Sequence, residues 1–411
     1  MNASLDSATS RTGTRRLVLA LGGLSAASPF ATDMYAPGFP QILVSFGTSG
    51  TAVQLSLTAC LVGLAIGQIV LGPLSDAMGR RRLLLIGSIL FTALSLVCAL
   101  APSIAVFNLA RLLQGIAGSA GLVIGRAVIS DRFTGARAAR QLSALSVIAM
   151  TAPVLAPVLG GLILGVGSWR LVFLALAASG LLLSIAVWAW IPESLPAEQR
   201  RAGGLRAVVV AMGGLLRRRE LIGYLLVTGC GLAALFAYIS GSPFVFQTVH
   251  GLSPAGYGFV FATNAVGTVA AGALFGRLAG RARLNALLVI GVAVMTGSAI
   301  VLVGLLAVGA GTFTVTWVCL FGVTFGFGIV LPAATTIVLA VGSDAPGAAS
   351  GLLGGAQFVL GAVAAPLPGL LGSTTAMSMA AVVLIFAVLS ALALVALARP
   401  WEDHGEPAAR R

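Results

Sequence analysis

Lysine is absent from these 411 residues, and acids number only 11 and histidines 2. Charged side chains make up 9% of the chain, where a soluble domain carries about a quarter. That supply is several times too small for the polar surface of a water-soluble fold this long. The four cysteines, Cys60, Cys98, Cys230 and Cys319, lie in apolar runs without metal-ligand spacing. They read as small buried hydrophobes, not as a disulfide framework or a metal centre. His250 is expected near the outer surface and His404 in the tail, and neither makes a metal or catalytic site. No glycine-rich loop leads into a lysine, so an ATP-binding loop is excluded. A membrane enzyme would need clustered carboxylates, histidines or a nucleophile–base pair within the apolar runs, and none is present. A receptor would usually add a soluble output domain, and no loop is long enough to hold one.

Apolar residues dominate instead, at 58%. Runs fall near 17–43, 51–73, 83–101, 104–129, 141–165, 169–191, 221–246, 255–276, 285–307, 312–340, 347–370 and 375–398. Each approaches the roughly 20 apolar residues that cross a bilayer. The expected fold is therefore an all-α integral membrane protein of twelve transmembrane helices. Arg15 and Arg16 before the first run imitate a signal peptide, but eleven more runs follow, so an uncleaved first span is expected. The 53 glycines suit close helix packing.

Arginine sets the expected orientation. With the N-terminus in the cytoplasm, every Arg except Arg111, Arg126 and Arg170 falls in a cytoplasmic loop or tail, Arg200, Arg201 and Arg206 in the central loop among them. The positive-inside rule then puts both termini in the cytoplasm. The net charge of +13 is a topology signal facing anionic lipid, and no nucleic-acid partner is expected.

The longest polar stretch separates six spans from six. The expected division is an N-terminal bundle over 1–196, a cytoplasmic linker over 197–220 and a C-terminal bundle over 221–411. A shift of 201 residues lays Gly79, Arg80 and Arg82 on Gly280, Arg281 and Arg283. This echo suggests two pseudo-symmetric six-helix bundles, with a substrate site between them near mid-membrane.

Ten of the acids, Asp6 and Asp131 among them, map to loops, tails or span ends. Asp33 alone lies well inside a span, where an Asp costs about 2.5–3.5 kcal/mol. It sits roughly 24 Å from the cytoplasmic side, and Arg111 roughly 20 Å, at about 1.5 Å per residue. Burial favours the neutral acid and a nearby cation favours the carboxylate. The pair is expected to serve proton coupling, with a permanent structural ion pair as the alternative. Asn108 and Gln114 share a helix face with Arg111 and either bind substrate or satisfy the guanidinium. Arg126 reaches the inner surface as an interfacial anchor. Further cavity candidates are Tyr35, Tyr238, Ser242, Asn264 and Gln357. Trp317, Phe321 and Phe325 form an i, i+4 stripe facing either cavity or lipid.

The loop Gly72-Pro-Leu-Ser-Asp-Ala-Met-Gly-Arg-Arg-Arg82 is expected to carry a conformational latch in Gly72, Asp76, Gly79 and Arg80, with a merely solvated basic turn as the alternative. Gly79 permits a tight turn, and Asp76 can accept from Arg80 or face a helix N-terminus across the interface between the halves. The loop resembles the signature loop of the major facilitator superfamily. Asn108 to Gly121 resembles that family's fourth-helix motif, whose arginine is tied to proton transfer. Ala152-Pro-Val-Leu-Ala-Pro-Val-Leu-Gly-Gly161 resembles its fifth-helix antiporter motif, carried by Pro153, Pro157, Gly160 and Gly161, with alanines at 152 and 156 where glycines are usual. Packing alone accounts for a bent helix with a small-residue face.

Ala31-Thr-Asp-Met-Tyr-Ala-Pro37, Ser168-Trp-Arg-Leu-Val-Phe173, Ile191-Pro-Glu-Ser-Leu-Pro196 and Tyr238 to Gln247 narrow the resemblance. They are similar to the Bcr/CflA branch of drug:proton antiporters, linked to bicyclomycin and chloramphenicol resistance. The resemblance implies a first-helix aspartate in the cavity, matching Asp33. A second acid found two turns earlier in some relatives is missing from Gly22-Gly-Leu-Ser-Ala26. The expected function is export of small, largely apolar drugs in exchange for protons by alternating access. The alternative is export of a sugar or other metabolite. The chain is expected to be no enzyme, to need no cofactor or metal beyond a proton gradient, and to sit as a monomer in a bacterial cell membrane. Its partners are the small-molecule substrate, protons and lipid.

Overall fold

Twelve apolar runs demand twelve crossings, and the computed structural model has twelve helices long and apolar enough to cross a membrane among its described residues. The described residues are 2–196, 198, 200, 204–371 and 375–406, with backbone only for 2–12, 139 and 204–209. Arg201, Arg410 and Arg411 fall outside them, as do the side chains of Asp6, Arg11 and Arg206. Spans 1 to 6 are Gly13–Phe46, Gly50–Met78, Arg80–Leu100, Ile104–Arg132, Gly135–Val166 and Arg170–Trp190. Spans 7 to 12 are Arg219–Val249, Pro254–Leu278, Leu284–Ala307, Phe313–Val341, Pro346–Leu370 and Ala376–Ala398. A helix, Gly204–Leu215, lies within the stretch expected as a polar linker and packs against spans 2 and 11. Among the described residues the fold is all-helical apart from one bridge, Ala279 to Ala282.

The two ends of the bundle start their helices differently. At the end away from the arginine loops, Ser49, Ser103, Ser253, Thr312 and Thr375 each accept a backbone N–H in the first turn of an even-numbered span. These caps satisfy donors that would otherwise be orphaned. At the other end, here the basic end, Gly79 and Gly280 turn the chain with φ of 96° and 87°. Only glycine takes that conformation without strain, so the echo read from sequence is also an echo of backbone geometry.

Span 2 packs along span 4 and span 9 along span 10. Glycine allows the close approach of the first pair: a methyl on Gly63 would strike the Leu112 carbonyl oxygen, and one on Gly115 that of Cys60. The outward surface is apolar, with Leu181, Leu182, Ile185, Trp188 and Val318 more than half exposed, as a lipid-facing surface requires.

Span 1 differs from the uninterrupted run expected. Its α-helix stops at Asp33, a single tight turn covers Ala36–Gly38, and a short helix resumes over Phe39–Phe46. Pro37 and Pro40 lack the N–H groups a continuous helix would use, which accounts for the break.

Candidate functional site

The halves meet through spans 2 and 11 and through spans 5 and 8. At the end away from the arginine loops they are sealed. Gln54 donates to the Ser240 carbonyl at 3.2 Å and accepts from the Gly369 N–H at 2.9 Å. Thr58 donates to the Ala362 carbonyl at 3.1 Å, and Gln247 to that of Pro37 at 2.9 Å. Phe39 packs on Phe244 with ring centres 6.1 Å apart. Gly161 lies against Pro254 and Ala255, and Gly258 against Pro157 and Val158, so both backbones touch without side chains between them.

At the basic end the halves separate around a cavity of about 830 Å³. Spans 2 and 4 line one wall, spans 10 and 11 the other, and Ala211 and Met212 of the linker helix border it. Its polar lining includes Gln68, Asp76, Arg126, Thr335, Ser350 and Gln357. Such a cleft, mostly apolar with a few polar groups, suits a small molecule.

Of the cavity residues expected from sequence, Gln357 lines this space. The others pack elsewhere. Tyr35 is fully buried, its hydroxyl 2.9 Å from that of Ser56. Gln114 bonds Arg111 and donates to Ser95 at 2.7 Å, and Asn108 donates to the Ala52 carbonyl at 3.3 Å. Gln114 therefore satisfies the guanidinium, and Asn108 caps neighbouring backbone. Tyr238 stacks on Phe261 and accepts from Asn264 at 3.0 Å, while the Ser242 and Tyr257 hydroxyls lie 2.9 Å apart. The Trp317, Phe321, Phe325 stripe leans on span 8, through Trp317 to Thr263 and Phe321 on Gly267, and does not line the cavity.

Asp33 and Arg111 do not pair. Arg111 is fully buried, donates to the Ala31 carbonyl at 2.8 Å and lies over the Tyr35 ring at 4.3 Å. It thus ties span 4 to the broken end of span 1. Asp33 is 5% exposed and makes no ion pair among the described residues. Its electrostatic neighbours include Cys60 from its own half and Tyr238 and Tyr257 from the other. Within the first half span 5 packs tightly on the chain next to it, since a methyl on Gly160 would strike the Met34 carbonyl oxygen.

The signature loop builds a network inside the first half. Arg80 pairs with Asp76 at 2.6 Å and Asp131 at 3.2 Å, and its N–H donates to Glu193 at 2.9 Å. Ser194 donates to Asp131 at 2.8 Å. Asp76 accepts from Arg80 in its own loop and does not reach the second half, though it borders the cavity. A comparable cap closes the second half, where Glu406 accepts from the Asn285 N–H at 2.7 Å and Asp403 pairs with Arg283. The signal that sequence reading passed over is Arg126. It was expected at the membrane surface as an anchor, but it lines the cavity because the halves part at its depth. No group of three or more metal-binding side chains occurs among the described residues.

Residues 21–366 match the family described as Major Facilitator Superfamily. The chain is 39% identical over 393 residues to "Uncharacterized MFS-type transporter YdgK" of Bacillus subtilis (strain 168), covering 94% of this chain and 97% of that one. It is 30% identical over 383 residues to "Bicyclomycin resistance protein homolog" of Haemophilus influenzae, covering 92% and 94%. That second likeness bears out the expected resemblance to the bicyclomycin-resistance type. The fold is similar to a solved partially occluded inward open conformation of the xylose transporter XylE from E. coli. The TM-score is 0.76 at 15% identity, over 97% of this chain and 100% of that one.

Proposed function

The chain belongs to the Major Facilitator Superfamily and is a multi-pass membrane transporter; from that premise we propose that it exports small, largely apolar drugs or toxic compounds in exchange for protons. The basic end faces the cytoplasm in this reading, so the open cavity collects substrate from inside. Alternating access then requires the sealed seam of spans 2, 5, 8 and 11 to open as the cavity closes. The Arg80 network acts as the latch by bracing the first half while the halves rock.

The observation that carries the proton step is Asp33, a buried carboxylate without a counter-ion among the described residues, at the break in span 1 and within electrostatic reach of Tyr238 and Tyr257 of the other half. A lone charge is expensive at this depth and cheap once the seam opens to water. Proton occupancy and the choice of open end are therefore linked, and each biases the other. Arg111 acts by positioning: it holds the backbone at Ala31, two residues before Asp33. The relative named for bicyclomycin resistance supports a drug as substrate.

The test is substrate-induced proton release from reconstituted protein, screened over a drug panel and repeated with Asp33→Asn. Release is expected from the wild type and absent from the variant, which should still bind drug. Unchanged release from Asp33→Asn would discard this proton step while keeping the transporter.

A further inference from the structure

Arg126 is a cation that no acid among the described residues neutralises. It projects, exposed, into the cavity, and among the described residues it makes no hydrogen bond or ion pair. Among the described residues Asp76 is the one other charged side chain in the lining, and Arg80 already holds it at 2.6 Å. Arg126 lies six residues before the end of span 4, roughly 9 Å inside the mouth. Gln68 and Gln357 lie deeper, on spans 2 and 11, from the two opposite walls. Arg111, on the same helix, has its guanidinium occupied by Ala31, Gln114 and Tyr35. A guanidinium presents five donors in a fork matched to a carboxylate, and no acceptor among the described residues engages this one.

We infer that Arg126 is an anion subsite of the cavity, and that the preferred substrates are amphipathic molecules bearing one carboxylate or comparable monoanion on an apolar body. The anion docks on Arg126 towards the mouth, the body lies between Leu122, Leu331 and Phe358, and the two glutamines meet polar groups at the far end. Among the described residues the cavity lining holds no uncompensated acid for a cation, so organic cations are selected against. This inference rests on the reading of the cavity as the transport site and adds the chemical class to it.

The experiment uses purified protein in detergent and a panel of matched pairs, each an aromatic carboxylic acid and its methyl ester. Ligand-induced thermal stabilisation gives the affinity of each member, and proteoliposomes give transport. Wild type is expected to bind the acids more tightly than the esters, by tenfold or more, as about 1.5–3 kcal/mol for a bond to a charged group implies. Arg126→Gln should erase that preference while leaving ester affinity and unliganded melting unchanged, and Arg126→Lys should keep part of it. The inference is overturned if wild type shows no preference for acids, or if the preference survives Arg126→Gln. It is also overturned if Arg126→Gln weakens acids and esters equally, which would make Arg126 a structural latch. Acid binding that depends on Arg126 without transport of either member would sink the export reading and leave the subsite standing. Transport of esters without any acid preference would do the reverse.

Discussion

Replacing Gly161 by alanine should push the transporter away from the conformation seen here. The new Cβ would lie 2.6 Å from the Pro254 carbonyl oxygen and 3.0 Å from the Ala255 Cα, both backbone atoms that cannot rotate aside. Ordinary contact begins at 3.4 Å, so spans 5 and 8 must part by about 0.8 Å. Overpacking of this kind costs about 1–3 kcal/mol. The cost applies only while the seam is sealed, because opening it removes the contact. The equilibrium should therefore shift towards the seam-open state by about fivefold to over a hundredfold. Spin labels at Arg137→Cys and Ala282→Cys, both exposed at the basic end, report the separation of the halves, and the native cysteines are buried. Gly161→Ala should enrich the short-distance population. Gly165→Ala is the control, since nothing lies within 4 Å of its added Cβ. An unchanged distance distribution in Gly161→Ala, or an equal shift in Gly165→Ala, would refute the reasoning.

Other expectations follow from the two caps and the linker. Arg80→Gln leaves Asp131 and Asp76 facing each other's charge without their cation; the loss should be about 2 kcal/mol, less than for a fully buried pair because Asp76 is half-exposed, and thermal unfolding in detergent reads it. Asp131→Asn in that background should recover part of the loss. Glu406→Gln weakens the charged cap on the first turn of span 9 by about 1 kcal/mol, and protease should reach the tail faster in the variant. Arg218 holds the Asp344 carboxyl below its ordinary value of 3.8, chiefly by hydrogen bonding. A depressed carboxylate stabilises above the unfolded value and loses that contribution as pH falls through the folded one. Wild type and Arg218→Gln should therefore differ at neutral pH, begin to converge only as pH falls below about 4, and meet below the depressed folded value, in hydrogen exchange at residues 342–345. High salt should shrink the same difference, because the pair is exposed.

The fold was legible because its causes are one-dimensional. Lipid tolerates a helix only if its residues are apolar all along its length, so hydropathy counts the spans without knowledge of their neighbours. Gly79 and Gly280 were legible for the same reason: a turn with positive φ is a local demand. The break in the first span does not show in hydropathy, since the apolar run continues through Pro37 and Pro40.

The site was legible only in part, and Arg111 and Arg126 show why. Both are arginines on span 4, fifteen residues apart, and a helical wheel separates them by only about 60°. Sequence placed Arg111 in the cavity beside Asp33 and Arg126 at the membrane surface. The fold reverses those roles: Arg111 is buried against span 1, and Arg126 faces the space between the halves. The sequence by itself determined the twelve spans, the bias of arginine to one end, and the single acid deep in the membrane, because each depends on composition along one helix. Only the tertiary structure decided which polar groups are free and which are occupied. That depends on where neighbouring helices converge, as at Gly161 and Pro254, and where they diverge, as around Arg126.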